Sequence, residues 1–249
     1  MKNKALWILG FGLLALVAGC NQTGSTTATT AGSTGGTSTI SEGNKPEPVK
    51  EVEAGLKNEA FAYMALDKAS EYTYSLQRME GIKATEGTQV VTMTESGPEK
   101  AVFSITRAGA MSDLGNEDVE ARKDGIYQLK MAMGELDKPM LVMPGDVKEG
   151  SAWPSEFTLD KVEGNKKVVF KVDNKAEKIE KVKVPAGEYD CLKVTTIGTM
   201  TVDGKVSKLD SSAWYAKNVG SVKLEISVKD SAGKTVKSSV ALVSTGEKK

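Results

Sequence analysis

From residue 71 onward, apolar and polar positions alternate in a succession of short runs. Val168, Phe170 and Val172 share one face of an extended segment, and Val222, Leu224, Ile226 and Val228 share another, opposed by Lys223, Glu225, Ser227 and Lys229. A period of two sends neighbouring side chains to opposite faces, so each run reads as a strand with one buried and one wet side, as in antiparallel sheet. The same rule puts Tyr127, Leu129, Met131 and Met133 on one face and Ile126, Gln128, Lys130 and Ala132 on the other. Strands are expected over 71–77, 89–95, 100–107, 125–133, 156–159, 166–172, 179–184, 189–197, 206–215, 221–229 and 235–244.

Turn residues punctuate these runs every 8–12 positions, the spacing of a meandering all-β domain. Asp203-Gly204 is the strongest hairpin signal, because both positions tolerate positive φ. Ser96-Gly97-Pro98, Asp173-Asn174 and Ser231-Ala232-Gly233 mark further reversals. Before the strands, Val52, Leu56, Ala60 and Met64 keep helical spacing, weakened by Gly55, so one or two helical turns at most are expected. The fold class is therefore all-β, a large curled antiparallel meander that closes as a barrel, stays a half-barrel, or folds into a sandwich.

The pattern differs upstream. Lys2 and Lys4 precede an apolar run over 5–18, with small residues at Ala18 and Gly19, which is the layout of a secretory leader. The run is shorter than the roughly 20 residues of a membrane-spanning helix. Val17-Ala18-Gly19-Cys20 resembles the lipobox at which bacterial lipoproteins are diacylated, cut and N-acylated. That resemblance implies removal of residues 1–19 and lipidation of Cys20, a firm anchor because two or more chains hold where one does not. Asn21 in place of Asp implies, by resemblance to lipoprotein sorting, an outer-membrane address in a host with two membranes.

Residues 20–50 form the next unit. From 21 to 43 they are almost entirely Thr, Ser, Gly, Ala, Asn and Gln, too polar to bury a core, and Lys45-Pro46-Glu47-Pro48 stiffens the end. A flexible tether of about 30 residues reaches roughly 30 Å. Residues 51–249 are left as a single domain with room for a sizeable core.

Charge and reactive residues narrow the function. Without Lys2 and Lys4, 31 of the 33 basic residues face 33 acidic ones, alternating in sign, so no nucleic-acid partner is expected. The chain has no histidine, which removes Ser-His-Asp and Cys-His nucleophilic systems and His-ligated zinc; no enzymatic activity and no cofactor are expected. With Cys20 lipidated, Cys191 has no partner for a disulfide within the chain and reads as a buried, inert thiol.

Val184-Pro185-Ala186-Gly187-Glu188-Tyr189-Asp190-Cys191-Leu192-Lys193-Val194, followed by Trp214-Tyr215-Ala216-Lys217-Asn218-Val219-Gly220-Ser221-Val222-Lys223, resembles a pattern in uncharacterised exported β-rich bacterial domains. Tyr63-Met64-Ala65-Leu66 and Gly150-Ser151-Ala152-Trp153 fit its earlier parts, and the resemblance implies a fold rather than an activity. Pro185 and Gly187 suit a tight turn, and Gly220 a bulge or close backbone approach. Trp153, Trp214 and Tyr215 are expected to cover the edge or core of the sheet, with a sugar-stacking platform as the alternative.

Three constellations remain. Asp113, Glu117, Asp118 and Glu120 crowd together without EF-hand spacing and with Arg122 and Lys123 next to them, so a solvated loop is expected over a calcium site. Lys178, Lys181 and Lys183, interspersed with Glu177 and Glu180, read as a solvated strand face. Met131, Met133, Met140 and Met143, near Leu129, Leu136 and Leu141, suit either core filling or an adaptable apolar wall. The leading functional expectation is a lipid-anchored envelope protein that binds a lipid or other hydrophobic ligand in a sheet cavity lined by Tyr127, Leu129, Met131, Met133 and Met143. The alternative is a structural or interaction module that engages an envelope protein or glycan.

Overall fold

The computed structural model describes residues 7–8, 15–16, 51–66, 70–78, 83–132, 134–162 and 166–247. Cys20, the expected tether and Met133 lie outside them. Twelve antiparallel strands close into a barrel in which each strand lies beside its neighbours in sequence and the last pairs with the first. They are β1 Ser70–Gln77, β2 Thr85–Ser96, β3 Lys100–Gly109, β4 Glu117–Arg122, β5 Gly125–Met131, β6 Gly134–Pro144, β7 Ala152–Val162, β8 Lys166–Val184, β9 Gly187–Val202, β10 Lys205–Ala216, β11 Gly220–Lys229 and β12 Thr235–Glu247. The meander is thus the barrel form of the expected fold, and neither the half-barrel nor the sandwich.

Alternation drives the closure. Val168, Phe170 and Val172 face inward, as do Val222, Leu224, Ile226 and Val228, and all are buried. Phe157 and Phe170 stack inside, with centroids 4.6 Å apart and planes 9° from parallel. Asp203 at φ 49° and Gly204 at φ 77° make the two-residue reversal between β9 and β10, where primed-turn geometry matches strand twist.

Asp173-Asn174, expected as a turn, lies inside the single long strand β8. Asn174 is buried because partners meet it there: its Nδ2 donates to the Trp153 carbonyl and to Ser155 Oγ, each at 3.1 Å, and its Oδ1 accepts from Thr196 Oγ1 at 2.8 Å. Ser155 Oγ in turn donates to the Leu141 carbonyl at 3.1 Å. Strands β4 and β6, which no clean alternation marks, complete the wall.

A bulge explains the mixed pattern of β5. Its pairing with β4 slips between Gln128 and Lys130, which leaves Leu129 as the extra residue of β5. The extra residue exchanges inside for outside, so Ile126 and Gln128 are buried before it and Met131 after it. Between β6 and β7 the ladder holds one pair, Leu136 with Leu159. Pro139 of β6 and Pro154 of β7 have no N–H to give. Side chains bridge the gap instead: Thr158 N donates to Asp137 Oδ1 at 3.2 Å, beside the Ser155 bond to Leu141.

Residues 51–66 close one end of the barrel. A 3-10 turn, Ala54–Leu56, precedes the single α-helix of the described residues, α1 Glu59–Met64, as the weak helical pattern predicts. Asn58 caps α1 by accepting from Phe61 N at 3.0 Å, and its amide donates to the carbonyls of Arg122 at 2.9 Å and Lys123 at 3.2 Å. Glu59 N donates to the Gly145 carbonyl at 3.0 Å and Asn218 N to the Ala62 carbonyl at 2.7 Å, so α1 is tied to the β4–β5, β6–β7 and β10–β11 connections. Leu56, Ala60, Phe61 and Tyr63 are buried, with Phe61 edge-on to Phe103 at 6.0 Å.

Candidate functional site

The inward alternation of β3, Ala101, Phe103 and Ile105, continues to Arg107, which carries a cation into the barrel. Its partner opens β4, where Glu117 precedes the inward Val119 and Ala121. Arg107 Nη2 donates to Glu117 Oε2 at 3.1 Å, with side-chain exposures of 5% and 4%. The other two nitrogens of the guanidinium also donate: Nε to Gln89 Oε1 at 3.0 Å and Nη1 to the Gly115 carbonyl at 2.7 Å. A buried charge pair survives when its remaining donors are matched in this way.

Around this pair lies a cavity of about 80 Å³, lined by Tyr74, Gln89, Arg107, Glu117 and Tyr215 with apolar walls that include Met64, Met111 and Leu224. The Tyr74 hydroxyl donates to the Ser221 carbonyl at 3.0 Å. Burial holds the Tyr74 proton well above the usual phenol range; Tyr72 adds to the effect and Arg107 opposes it. Tyr215 is raised likewise, by burial first and the Glu117 carboxylate second. Sequence reasoning singled out Glu117 and Tyr215 but not Gln89 or Arg107. The available signal was a cation placed in phase with an apolar strand face.

The five residues expected to line a ligand cavity do not converge. Tyr127 and Leu129 are half-exposed on the outer wall, whereas Met131 and Met143 are packed into the core, and Met133 is outside the described residues. Tyr127 donates to Asp124 Oδ2 at 2.8 Å under the Arg122 guanidinium, 4.3 Å from its ring centroid. The bulge of β5 at Leu129 splits the face that strict alternation assigns to these residues.

The acidic group is no solvated loop. Glu117 enters the cavity, and Glu120, buried on the outer face of β4, pairs with Arg122 and with Lys100 Nζ at 3.6 Å. Among the described residues no group of His, Cys, Asp or Glu could hold a metal ion.

Trp153, Trp214 and Tyr215 are all buried, so none offers a face to a sugar in solvent. Trp214 lies on the outer wall between Lys193 at 5.1 Å and Lys223 at 4.8 Å, and its indole donates to Glu180 Oε1 at 2.7 Å. Trp153 points inward, and its indole N–H meets no acceptor among the described residues. Cys191 is buried and its thiol is pushed up to about 11, by burial first and then by Asp190 and Glu180.

Larger recesses lie on the outer wall. One of 530 Å³ runs over the small residues Ser212, Ser227 and Ser239, flanked by Asp210, Glu225 and Lys237. Ile197, the neighbour of Asp210 across the β9–β10 ladder, is 60% exposed beside it. A second, of 510 Å³, opens where β6 leaves β5 at 136–139 and includes Leu129, Leu136 and Pro139.

A family model described as DUF3108-like matches residues 117–241, half of the chain. Among solved structures, a "putative exported protein with YmcC-like fold" from Bacteroides fragilis is 17% identical, with a TM-score of 0.51 over 75% of this chain and 99% of the other. A "putative lipoprotein" from Parabacteroides distasonis is 13% identical, with a TM-score of 0.52 over 74% of this chain and 97% of the other. These likenesses establish the fold. No curated protein matches the chain.

Proposed function

The chain belongs to the DUF3108-like family, and on that footing we propose that it is an exported envelope lipoprotein, anchored through Cys20, whose barrel is a non-enzymatic interaction module that engages an envelope partner through its outer wall. The observation that carries this reading is where the space lies. The barrel interior is filled by Phe103, Phe157, Phe170, Ile126 and Met143, while the recesses of 510 and 530 Å³ open outward. An interior void of 80 Å³ falls well below the roughly 300–1,000 Å³ of a drug-sized ligand pocket, so a cavity carrying a whole lipid gains no support.

The anchor rests on Val17-Ala18-Gly19-Cys20, and the descriptions of the two similar structures as an exported protein and a lipoprotein support the envelope address. Asn21 favours the outer membrane where the host has two.

The test uses the full lipoprotein in its own envelope, with a photo-crosslinking amino acid placed in turn at Ile197, Leu129 and the inward Leu224. Discrete protein adducts from the two outer-wall positions and none from Leu224 are expected. Lipid adducts from Leu224 without protein adducts elsewhere would return the reading to a carrier. Incorporation of labelled palmitate, lost in Cys20→Ala, checks the anchor separately.

A further inference from the structure

We infer that the end of the barrel formed by the β9–β10 and β11–β12 reversals docks onto the anionic phospholipid headgroups of the bilayer that holds the anchor. Lys208 and Lys229 are Cα partners across the β10–β11 ladder, and both are exposed on its outer face. Like charges directly opposite one another repel, and neither lysine, nor Lys205 beside them, meets a carboxylate among the described residues. The three reversals at this end, residues 160–168, 202–208 and 228–237, carry eight lysines and four carboxylates. Two of those carboxylates are already engaged: Asp203 pairs with Lys166 at 3.6 Å, and Asp230 Oδ1 accepts from the N–H groups of Ala232 at 2.9 Å and Lys234 at 2.8 Å. The end is left with a surplus of positive charge that the chain itself does not neutralise.

Charge alone fits any polyanion; the position and apolar content of the cluster select a bilayer. These lysines stand at the tips of neighbouring hairpins, and Val206, outward on the same strand face as Lys208, is 50% exposed among them. Lysines around an exposed apolar side chain suit the headgroup boundary, where the cations meet phosphates and the apolar group reaches the acyl edge. The opposite end has the other sign: residues 51–59, 123–124, 145–149 and 217 carry six carboxylates against four lysines. An anionic surface therefore attracts one end of the barrel and repels the other. The 30 residues from 21 to 50 extend to at most about 100 Å, against roughly 40 Å for a twelve-residue strand such as β10. The anchor thus permits this orientation although the chain enters the barrel at its other end, and confinement near the bilayer lets a weak patch suffice. Ile197 and the recess beside Asp210 lie further along the wall and stay open to the envelope partner.

Methyl NMR on the palmitoylated full chain, in nanodiscs doped with a gadolinium-headgroup lipid, tests the docking. Val206 is the reporter, and Ile179, 49% exposed beside Glu59 and Tyr63 at the opposite end, is the reference. Discs containing phosphatidylglycerol are expected to broaden the Val206 methyls far more than that of Ile179. Discs of phosphatidylcholine alone should not, and about 1 M salt, which shortens the screening length to roughly 3 Å, should abolish the difference. Lys208→Thr with Lys229→Thr should lower the ratio of docked to free barrel roughly 25-fold, about fivefold for each lysine, and leave the urea midpoint unchanged or higher because a like-charge pair is relieved. Lys208→Arg with Lys229→Arg should dock as the native chain does. Equal broadening of Val206 and Ile179, broadening that persists in phosphatidylcholine, or native docking by the threonine variant overturns the proposal. So does a Val206 shift with soluble polyglutamate but none on anionic discs, which would assign the lysines to an acidic protein. The docking rests on the anchor at Cys20: a chain that takes up no palmitate overturns both, whereas a palmitoylated chain whose Val206 stays clear of the headgroups overturns the docking alone. Neither result bears on the outer-wall crosslinks.

Discussion

Arg107 and Glu117 meet 3.1 Å apart inside a barrel whose other inward residues on β3 and β4 are apolar. Removing one member leaves a buried charge. Arg107→Met should destabilise the fold by about 3–5 kcal/mol, whereas Arg107→Met with Glu117→Leu should lie near the native stability, since a well-packed apolar replacement matches a buried pair. Urea unfolding followed by tryptophan fluorescence measures both.

The chain of bonds Leu141, Ser155, Asn174, Thr196 spans four strands of the wall. Asn174→Leu strands the Thr196 hydroxyl and is expected to cost about 1–3 kcal/mol. Thr196→Val should cost less, and the double variant less than the sum. A double-mutant cycle that returned strict additivity would show the bonds to be independent.

Asn58 both caps α1 and ties it to the β4–β5 turn. Asn58→Ala should lose about 1–2 kcal/mol, and hydrogen exchange should show the amides of residues 59–65 opening before those of the strands.

Gly198 lets β8 and β9 approach. A Cβ there would sit 2.1 Å from the Lys171 carbonyl oxygen and 2.7 Å from the Val172 Cα. Both are backbone atoms, so the strands must part. Gly198→Ala should cost about 1–3 kcal/mol as an overpacked site, with faster exchange concentrated in β8 and β9.

Burial raises Cys191 to about 11 from its ordinary 9.0, and raises Tyr74 and Tyr215 in the same direction. The folded state therefore keeps protons that the unfolded chain releases. Stability contributed by Cys191 is complete below pH 9 and is lost as pH rises to about 11, with the tyrosines extending the loss upward. A thiol reagent at pH 8 should label Cys191 only in denaturant.

Where one face is apolar and unbroken, as in Val168 to Val172 and Val222 to Val228, the strand and its inward side were legible from spacing alone. The period fails where a bulge adds a residue at Leu129: Tyr127 and Leu129 emerge outside while Met131 stays in, a slip that no propensity encodes. Asn174 misleads for a different reason. Its amide belongs in a turn unless tertiary partners satisfy it, and those partners, Ser155 and Thr196, lie 19 and 22 positions away in sequence. Arg107 and Gln89 look like ordinary wet-face residues until the barrel closes around them. Glu117 had a visible carboxylate neighbourhood, but its cation is ten residues upstream on another strand.

The pairing of the first strand with the last, Leu76 opposite Val240, has a consequence for how the molecule comes into being. A chain delivered from its N-terminus can lay down hairpin after hairpin, yet β1 keeps an open edge until residue 235 and beyond arrive. Ring closure is a single late event between segments some 160 positions apart, the kind of distant pairing that slows folding. Until then two raw edges are available to other chains, so any truncation that removes β12 should yield self-association rather than a smaller barrel.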